Sequence, residues 1–174
     1  PMAFDDSSCG LAPSALGIGQ YPCMTIGQGI ARAVALGRAN VLVSNGLYSE
    51  SVALTGTGYL TGGKNLKGGY RADTWERDVE ATMTIIRGSS GTTHKSAVTA
   101  SGVTTSTLFE GFIVYGPTNF SAGGNSYAIY ISNSTSALTV RYNMIYGGYG
   151  GAGANGSNGD DGLDGVNGQA GQDT

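Results

Sequence analysis

The chain has 174 residues, of which 31 are glycine and only 12% are charged, and its formal net charge is −3. This composition disfavours a helical bundle, whose exposed faces need Glu and Lys, and it suits strands joined by tight turns. The nine Lys and Arg residues are scattered rather than gathered in a stripe, so we expect no binding to nucleic acid. No apolar run approaches the roughly 18 residues that cross a bilayer, so we expect no membrane span. The chain begins at Pro1 without a leader pattern, so any signal peptide is expected to lie outside this sequence.

Two cysteines lie near the start of the chain. Cys9 and Cys23 are separated by 14 positions in a segment rich in Gly, Pro and Ser. A redox pair needs a closer spacing, and a metal site needs further ligands, whereas the only histidine, His94, is far away in the sequence. A structural disulfide fits better, and it would contribute about 3 kcal/mol by closing a loop of about 15 residues. It also indicates an oxidising, extracellular location.

Residues 25–39 carry the one helix that the sequence predicts. Thr25 can cap this helix, and Gln28 three residues later completes a capping-box pattern. The helix should end around Gly37 to Asn40. The residues that fall on one face at helical spacing are Ile26, Ile30, Ala33, Val34 and Gly37. We expect this helix to cap the N-terminal end of the structure that follows.

From residue 41 to about 147, short apolar runs alternate with turn residues, which predicts strands. Three runs close alike, with the glycines of Ile86-Arg87-Gly88, Val114-Tyr115-Gly116 and Ile145-Tyr146-Gly147, and these glycines are 28 and 31 residues apart. An irregular period of this size indicates a solenoid in which each coil packs only on its neighbours. Alternation within the runs gives one inward face, as parallel coils require. We therefore predict an all-β solenoid of about four parallel coils.

A β-sandwich is the main competing interpretation of the same strands. It would join them by hairpin turns, but Asn45-Gly46 is the one hairpin dipeptide that sits cleanly between two runs. The sequence also lacks helices between the strands, which argues against βαβ units.

The last segment, 149–174, has glycine at every third position. The repeated glycines are Gly150, Gly153, Gly156, Gly159, Gly162, Gly165, Gly168 and Gly171. This is the period of a collagen triple helix, but the segment has no Pro, and its four Asp residues meet no Lys or Arg that could stabilise three strands. A calcium loop at 158–168 would lack the EF-hand spacing and its closing Glu. We prefer an extended, polyproline-II-like glycine helix that packs against a partner, and we call this segment the assembly tail.

Three stretches occur together in an order that resembles a known family. They are the opening 9-CG-10, 22-PCMTI-26 and 28-QGIARAVALG-37, the strand-turn-strand 41-VLVSNGLYSESVAL-54, and 66-LKGGYRADTWERD-78 followed by Thr84-Ile85-Ile86. The chain is similar over residues 9–148 to the N-terminal part of large secreted bacterial proteins with a right-handed, pectate-lyase-like parallel β-helix. Such proteins often carry Gly-x-x tracts after the solenoid. The resemblance implies this architecture and an extracellular location, and it implies little chemistry.

Solenoids of this shape include polysaccharide lyases and hydrolases, which raises the question of whether the acidic residues of this chain could be catalytic or bind Ca²⁺. A lyase of this type needs clustered carboxylates for Ca²⁺ and a nearby base. Four acidic residues sit in the single loop 73–80, whose arginines and Trp75 predict a solvated, internally paired turn. Glu110 can pair with Arg141 on a neighbouring coil, and no second carboxylate accompanies it as a glycosidase would need. We therefore expect no catalytic residue, no metal site and no cofactor, with a lyase-like enzyme as the weakest alternative.

The last coils are rich in tyrosine. Tyr115, Tyr130, Tyr142 and Tyr146 form a candidate contact row. Exposed aromatic rows bind sugars or form protein interfaces, whereas aromatic stacking along the solenoid would be purely structural. The sequence leaves both interpretations open.

The predicted organisation has three parts: a disulfide-clipped N-terminal segment with the capping helix (1–40), a parallel β-helix (41–148) and the Gly-x-x tail (149–174). Solenoids end in exposed strand edges that must be capped or paired. We therefore expect a non-catalytic extracellular structural protein of a surface fibre or sheath, which self-associates through its solenoid ends and its tail. The alternative is an adhesin or glycan-binding module whose partners are cell-surface glycans.

Overall fold

The computed structural model describes residues 3–10, 21–55, 63–91, 93–168 and 170–171. Residues 1–2 and 11–20 of the predicted N-terminal segment, 56–62 and 92 of the predicted β-helix, and 169 and 172–174 of the tail lie outside these ranges. The described residues contain one α-helix and eleven β-strands. In chain order they are α1 (Ile26–Ala35), β1 (Asn40–Ser44), β2 (Gly46–Tyr48), β3 (Val52–Thr55), β4 (Asn65–Tyr70), β5 (Thr84–Arg87), β6 (Lys95–Ser101), β7 (Thr107–Glu110), β8 (Ile113–Tyr115), β9 (Ser126–Ser132), β10 (Leu138–Arg141) and β11 (Met144–Tyr146). No helix in these ranges is long and apolar enough to cross a membrane.

The strands form three sheets, which the chain visits in a fixed order. Sheet 1 contains β1, β4, β7 and β10, sheet 2 contains β2, β5, β8 and β11, and sheet 3 contains β3, β6 and β9. We call each passage through the sheets a rung, so β1–β3 form the first rung and β10–β11 form the incomplete fourth. All the strand pairings are parallel. The prediction of an all-β fold with parallel strands is confirmed, and the antiparallel pairing of a β-sandwich does not occur between these strands.

Side chains at equivalent positions of successive rungs stack in columns, and the inward-facing columns form the core. In sheet 1 the register aligns Val41, Leu66, Phe109 and Val140. Phe109 is fully buried and stacks on Phe112, with 4.7 Å between the ring centroids. Because successive residues of a strand point to opposite faces, the positions next to these face outward. Each large side chain buried in this way stabilises the fold by about 2–3 kcal/mol.

The three runs that close with glycine lie on top of one another in sheet 2. Their strands pair in register. The N–H of Gly88 donates to the carbonyl oxygen of Tyr115 (3.1 Å), and the N–H of Gly116 donates to that of Tyr146 (2.9 Å). The irregular period of 28 and 31 residues seen in the sequence therefore corresponds to one rung.

Helix α1 has the predicted cap but not the predicted capping box. The Thr25 hydroxyl accepts a hydrogen bond from the N–H of Gln28 at 3.1 Å, as expected. The reciprocal half is wrong, because the Gln28 side chain donates to the carbonyl oxygen of Asp6 (3.1 Å), and the Thr25 N–H donates to the Asp5 carboxylate (3.0 Å). Asp5 and Asp6 of the N-terminal segment therefore bind the two groups, the Thr25 N–H and the Gln28 side chain, that a capping box would pair with each other.

The helix is also shorter than predicted. It ends at Ala35 rather than between Gly37 and Asn40. Gly37 adopts a φ of 63°, in the left-handed region that terminates helices. The predicted boundary placed this glycine inside the last turn, whereas it lies just beyond the helix.

Candidate functional site

The N-terminal end of the stacked rungs is covered by α1 and by the disulfide segment. Helix α1 packs on β1 and β3. Its buried residues are Ile26, Ile30 and Ala33. The predicted disulfide between Cys9 and Cys23 is present, and Cys9 is fully buried. The Arg32 side chain donates through Nε to the carbonyl oxygen of Cys9 at 3.1 Å, which joins the disulfide segment to the helix.

Glu50 fastens this cap to the first rung. Its two carboxylate oxygens accept hydrogen bonds from the N–H groups of Ile26 (2.8 Å) and Gly27 (2.9 Å). These N–H groups have no partner within the helix, and a negative charge is favourable at a helix N-terminus. Sequence reasoning missed Glu50, because a partner more than 20 residues downstream carries no local signal.

The C-terminal end is open. In sheet 2, Ile145 of the fourth rung occupies the column of Val114 and Ile86, which are fully buried, yet Ile145 is 51% exposed. In sheet 3, Ile131 continues the column of the buried Ala100 and is 50% exposed. These side chains point toward the core but have no rung above them. The C-terminal end of the stack, formed by β9, β10 and β11, therefore presents core-facing aliphatic groups and unpaired strand edges to solvent.

The outer face of sheet 2 carries a second apolar surface. Its aligned residues are Leu47, Ile85, Ile113 and Met144, which we call the apolar column. Leu47 and Met144 are more than half exposed, and Ile85 and Ile113 are partly exposed. A groove of about 630 Å³ runs beside Leu47, Met83 and Ile85, and its wall includes the paired Arg71 and Asp73.

The four predicted contact tyrosines do not form a single row. Tyr115 and Tyr146 are adjacent on the outer face of sheet 2, with stacked rings 4.8 Å apart. Tyr130 lies in sheet 3, tilted against Tyr127. Tyr142 lies in the turn before β11, with its φ at 52° and the side chain 72% exposed. The structure thus places two of the four together and separates the others.

Glu110, in β7, is engaged in two ion pairs. Glu110 pairs with Arg141 (Nε to Oε2, 2.8 Å), as the sequence suggested, and also with Arg77 (Nη2 to Oε1, 3.1 Å). The Glu110 side chain is only 4% exposed, so both arginines are needed to compensate its buried charge. No three His, Cys, Asp or Glu residues cluster as a metal site in the described part of the chain.

The loop after β4 is internally paired. Arg71 forms a two-pronged contact with Asp73, and the hydrogen bond from this side chain lowers the pKa of the Asp73 carboxyl to about 2. Trp75, at a φ of 59°, packs near Tyr70 with ring centroids 6.3 Å apart. The Arg71–Asp73 pair agrees with the internally paired turn expected from the sequence, whereas Arg77 leaves the loop and pairs with Glu110 of β7.

The assembly tail leaves the rungs at a defined point. The N–H of Gly151 donates to the carbonyl oxygen of Gly124, and the Ala152 carbonyl oxygen accepts from Gly123. From Gly153 onward, a Cβ built on any repeated glycine would meet nothing within 4 Å. The two large apolar residues of the tail, Leu163 and Val166, are 100% and 98% exposed. Residues 153–168 therefore extend away from their own subunit.

Comparison of the chain with protein-family models, with curated proteins and with solved structures finds no match.

Proposed function

We propose that this protein is a secreted, non-catalytic structural subunit that self-associates into an extracellular fibre or sheath. The observation that carries the proposal is the open C-terminal end of the stacked rungs, where β9 and β11 have no strand above them. Ile131 and Ile145 face the core direction but are half exposed, whereas the aligned residues of earlier rungs are buried. Because each of these side chains is already half covered, burying the remainder would contribute about 1 kcal/mol per side chain, and pairing the free strand edge would add backbone hydrogen bonds.

The two ends of the stacked rungs differ, and this difference limits the contacts that the open C-terminal end can make. The N-terminal end is covered by α1, so the open end cannot stack on it directly. Two open ends can meet around a two-fold axis, and such an isologous contact closes on itself as a dimer. A fibre therefore needs a second, different contact, and the exposed tail is available to make it.

The proposal extends to the fold and to the location of the protein. We infer that the rungs form a short right-handed parallel β-helix, since the fixed visiting order of three parallel sheets is typical of that fold and parallel crossovers are right-handed in nearly all proteins. The disulfide supports an extracellular location, because such bonds persist mainly in oxidising compartments.

Electron microscopy and sedimentation velocity test the proposal directly. The full chain at micromolar concentration should form polymers, and Ile145→Asp should weaken this association at least tenfold, because it places a charge on the open end. Thr139→Asp is the matched control, since Thr139 lies on the same rung but is exposed on the outer face. A wild-type chain that remains monomeric over the whole concentration range would refute the proposal.

Glycan binding is a second candidate, favoured by the exposed aromatic rings of the last rung. The distal face of Tyr146 is not covered by a further rung, and Tyr149 is 79% exposed. Aromatic faces of this kind stack on sugar rings. If the chain acts in this way, a monomer should be retained on immobilised bacterial or host glycans, and Tyr146→Ala should abolish the retention.

A further inference from the structure

We propose that the tail of one copy docks on the outer face of sheet 2 of a second copy, with Leu163 and Val166 lying on the apolar column. This inference rests on the proposed self-association and specifies its second contact. The occupant of the column is the Gly-x-x tail of a neighbouring molecule of the same chain.

The receiving surface is suited to an extended segment. The apolar column runs across four successive rungs, from Leu47 in the first to Met144 in the fourth. At its N-terminal half, the groove beside Met83 and Ile85 provides walls as well as a floor. An exposed apolar strip of this kind, bordered by polar residues, is typical of an interaction site.

The tail has a matching division into rows. In a chain with three residues per turn, every third residue points the same way. Leu163 and Val166 then share one row with Asp160, the repeated glycines form a second row, and Asp161 and Asp164 belong to the third. The glycine row lets the tail backbone approach a surface closely, so that the two apolar side chains can reach it.

The distance between Leu163 and Val166 along the tail also agrees with the distance between rungs in the apolar column. Residues three apart in a polyproline-II chain are about 9 Å apart. Alternate rungs are about 9.6 Å apart, since neighbouring parallel strands lie about 4.8 Å from each other. Leu163 and Val166 can therefore contact residues of the apolar column that are two rungs apart, with the tail running across the strands.

The charges of the tail and of Arg87 also favour docking of the tail on the apolar column. The tail contains Asp160, Asp161 and Asp164 and no Lys or Arg. Arg87 stands next to the apolar column, where its guanidinium lies over the ring of Tyr115, and none of the salt bridges between described residues involves it. The acidic tail can supply its missing counter-charge. Together with the isologous contact of the open ends, this second contact would convert closed dimers into an open polymer.

Sedimentation velocity of full-length variants tests the docking. Leu163→Asp with Val166→Asp should lower the association constant at least tenfold. Ala154→Asp with Ser157→Asp is the matched control, because it adds the same charges at the same spacing in the same row and should leave association unchanged. On the receiving side, Leu47→Asp with Met144→Asp should reproduce the loss. Leu42→Asp, on the outer face of sheet 1, should not.

Mixing the two defective variants gives the sharpest result. The tail variant retains an intact column and the column variant retains an intact tail, so an equimolar mixture should recover association that neither shows alone. If the column variant assembles normally while the tail variant does not, tails contact other tails, and the docking is refuted. If wild type and every variant assemble equally, the docking is refuted while the proposed function stands. If wild type does not assemble at all, both fail.

A cross-linking measurement covers the case of a column variant that does not fold. A photoreactive amino acid at position 163 of the otherwise unchanged chain should cross-link to residues 83–87, 113 or 144 of another copy, as mixed isotope-labelled chains would show. Cross-links confined to the tail, or to sheets 1 and 3, would overturn the proposal.

Discussion

The three closing glycines provide a test of how the rungs pack, because they share a sequence pattern and differ only in their surroundings. At none of the three is φ positive, so alanine is acceptable to the backbone. A Cβ at Gly88 would lie 2.8–2.9 Å from atoms of Ala97 and Pro117, both of which are fully buried. A Cβ at Gly147 would meet nothing within 4 Å. We therefore expect Gly88→Ala to be strongly destabilising and Gly147→Ala to be tolerated.

The size of the effect follows from the contacts. Carbon atoms pack favourably at about 3.5–4.0 Å, so the new methyl group at Gly88 is too close by more than half an ångström to three rigid atoms. Overpacking of a well-filled core costs about 1–3 kcal/mol, and the rigidity of these neighbours places Gly88→Ala at about 3 kcal/mol. Gly116→Ala should also be harmful, because its Cβ would clash with the backbone of Gly148. The loss should be smaller there, because Gly148 lies near the open end and can shift. Gly147→Ala should stay within about 0.5 kcal/mol.

Urea unfolding followed by far-UV circular dichroism and by Trp75 fluorescence measures these differences. With a slope of about 2 kcal/mol per molar urea, Gly88→Ala should lower the midpoint by about 1.5 M. The measurement should be made at a concentration where wild type and variants have the same association state. Equal effects of Gly88→Ala and Gly147→Ala, or a neutral Gly88→Ala, would refute the close packing of this corner.

Three further changes test the interactions within one subunit. Glu110→Gln should lower the free energy of unfolding by about 2 kcal/mol. This is less than the 3–5 kcal/mol lost when a fully buried pair is broken, because the arginine partners of Glu110 are partly exposed. An unchanged urea midpoint would contradict this expectation. Replacing Cys9 and Cys23 by serine should cost about 3 kcal/mol, and reduction of the wild type should reproduce this loss without affecting the variant. The Asp73 carboxyl should titrate near pH 2 by NMR, so its pairing is complete above the unfolded value of 3.8 and is lost as pH falls through about 2. Arg71→Gln should move that midpoint toward 3.8, and an unmoved midpoint would exclude the arginine as the cause.

The sequence by itself was sufficient for features that depend on neighbours along the chain. The Thr25 cap, the disulfide of Cys9 and Cys23, and the in-register stacking of the runs that close at Gly88, Gly116 and Gly147 all follow from local patterns, and the structure contains them. Apolar runs indicate strands because alternate residues must reach a common inner face. This reasoning predicts β-strands, and the repeated closing glycines favour parallel coils over a β-sandwich, whereas the parallel pairing itself is established by the structure.

Three strands escaped the sequence patterns: β2, which lies in the turn of the predicted strand-turn-strand 41–54, and β4 and β6. For β4 and β6, packing between rungs rather than hydrophobicity makes them strands. β4 has the sequence NLKGGY and β6 has the sequence KSAVTAS, and neither contains a long apolar run. Both are internal to their sheets, so each has hydrogen-bonded neighbours on two sides. In β4, a Cβ at Gly68 would lie 2.4 Å from the carbonyl oxygen of Gly111, so the rung above requires the glycine that weakens the local strand signal.

The surfaces that bear on function were decided by tertiary structure alone. Ile86 and Ile145 stand in the same local pattern, an isoleucine two residues before a closing glycine, and the sequence treats them alike. One is fully buried and the other is 51% exposed. Burial in a stack of rungs depends on whether another rung lies above, and no pattern within one rung contains that information. The open end, the apolar column and the exposed tail become visible only when the rungs are placed on one another.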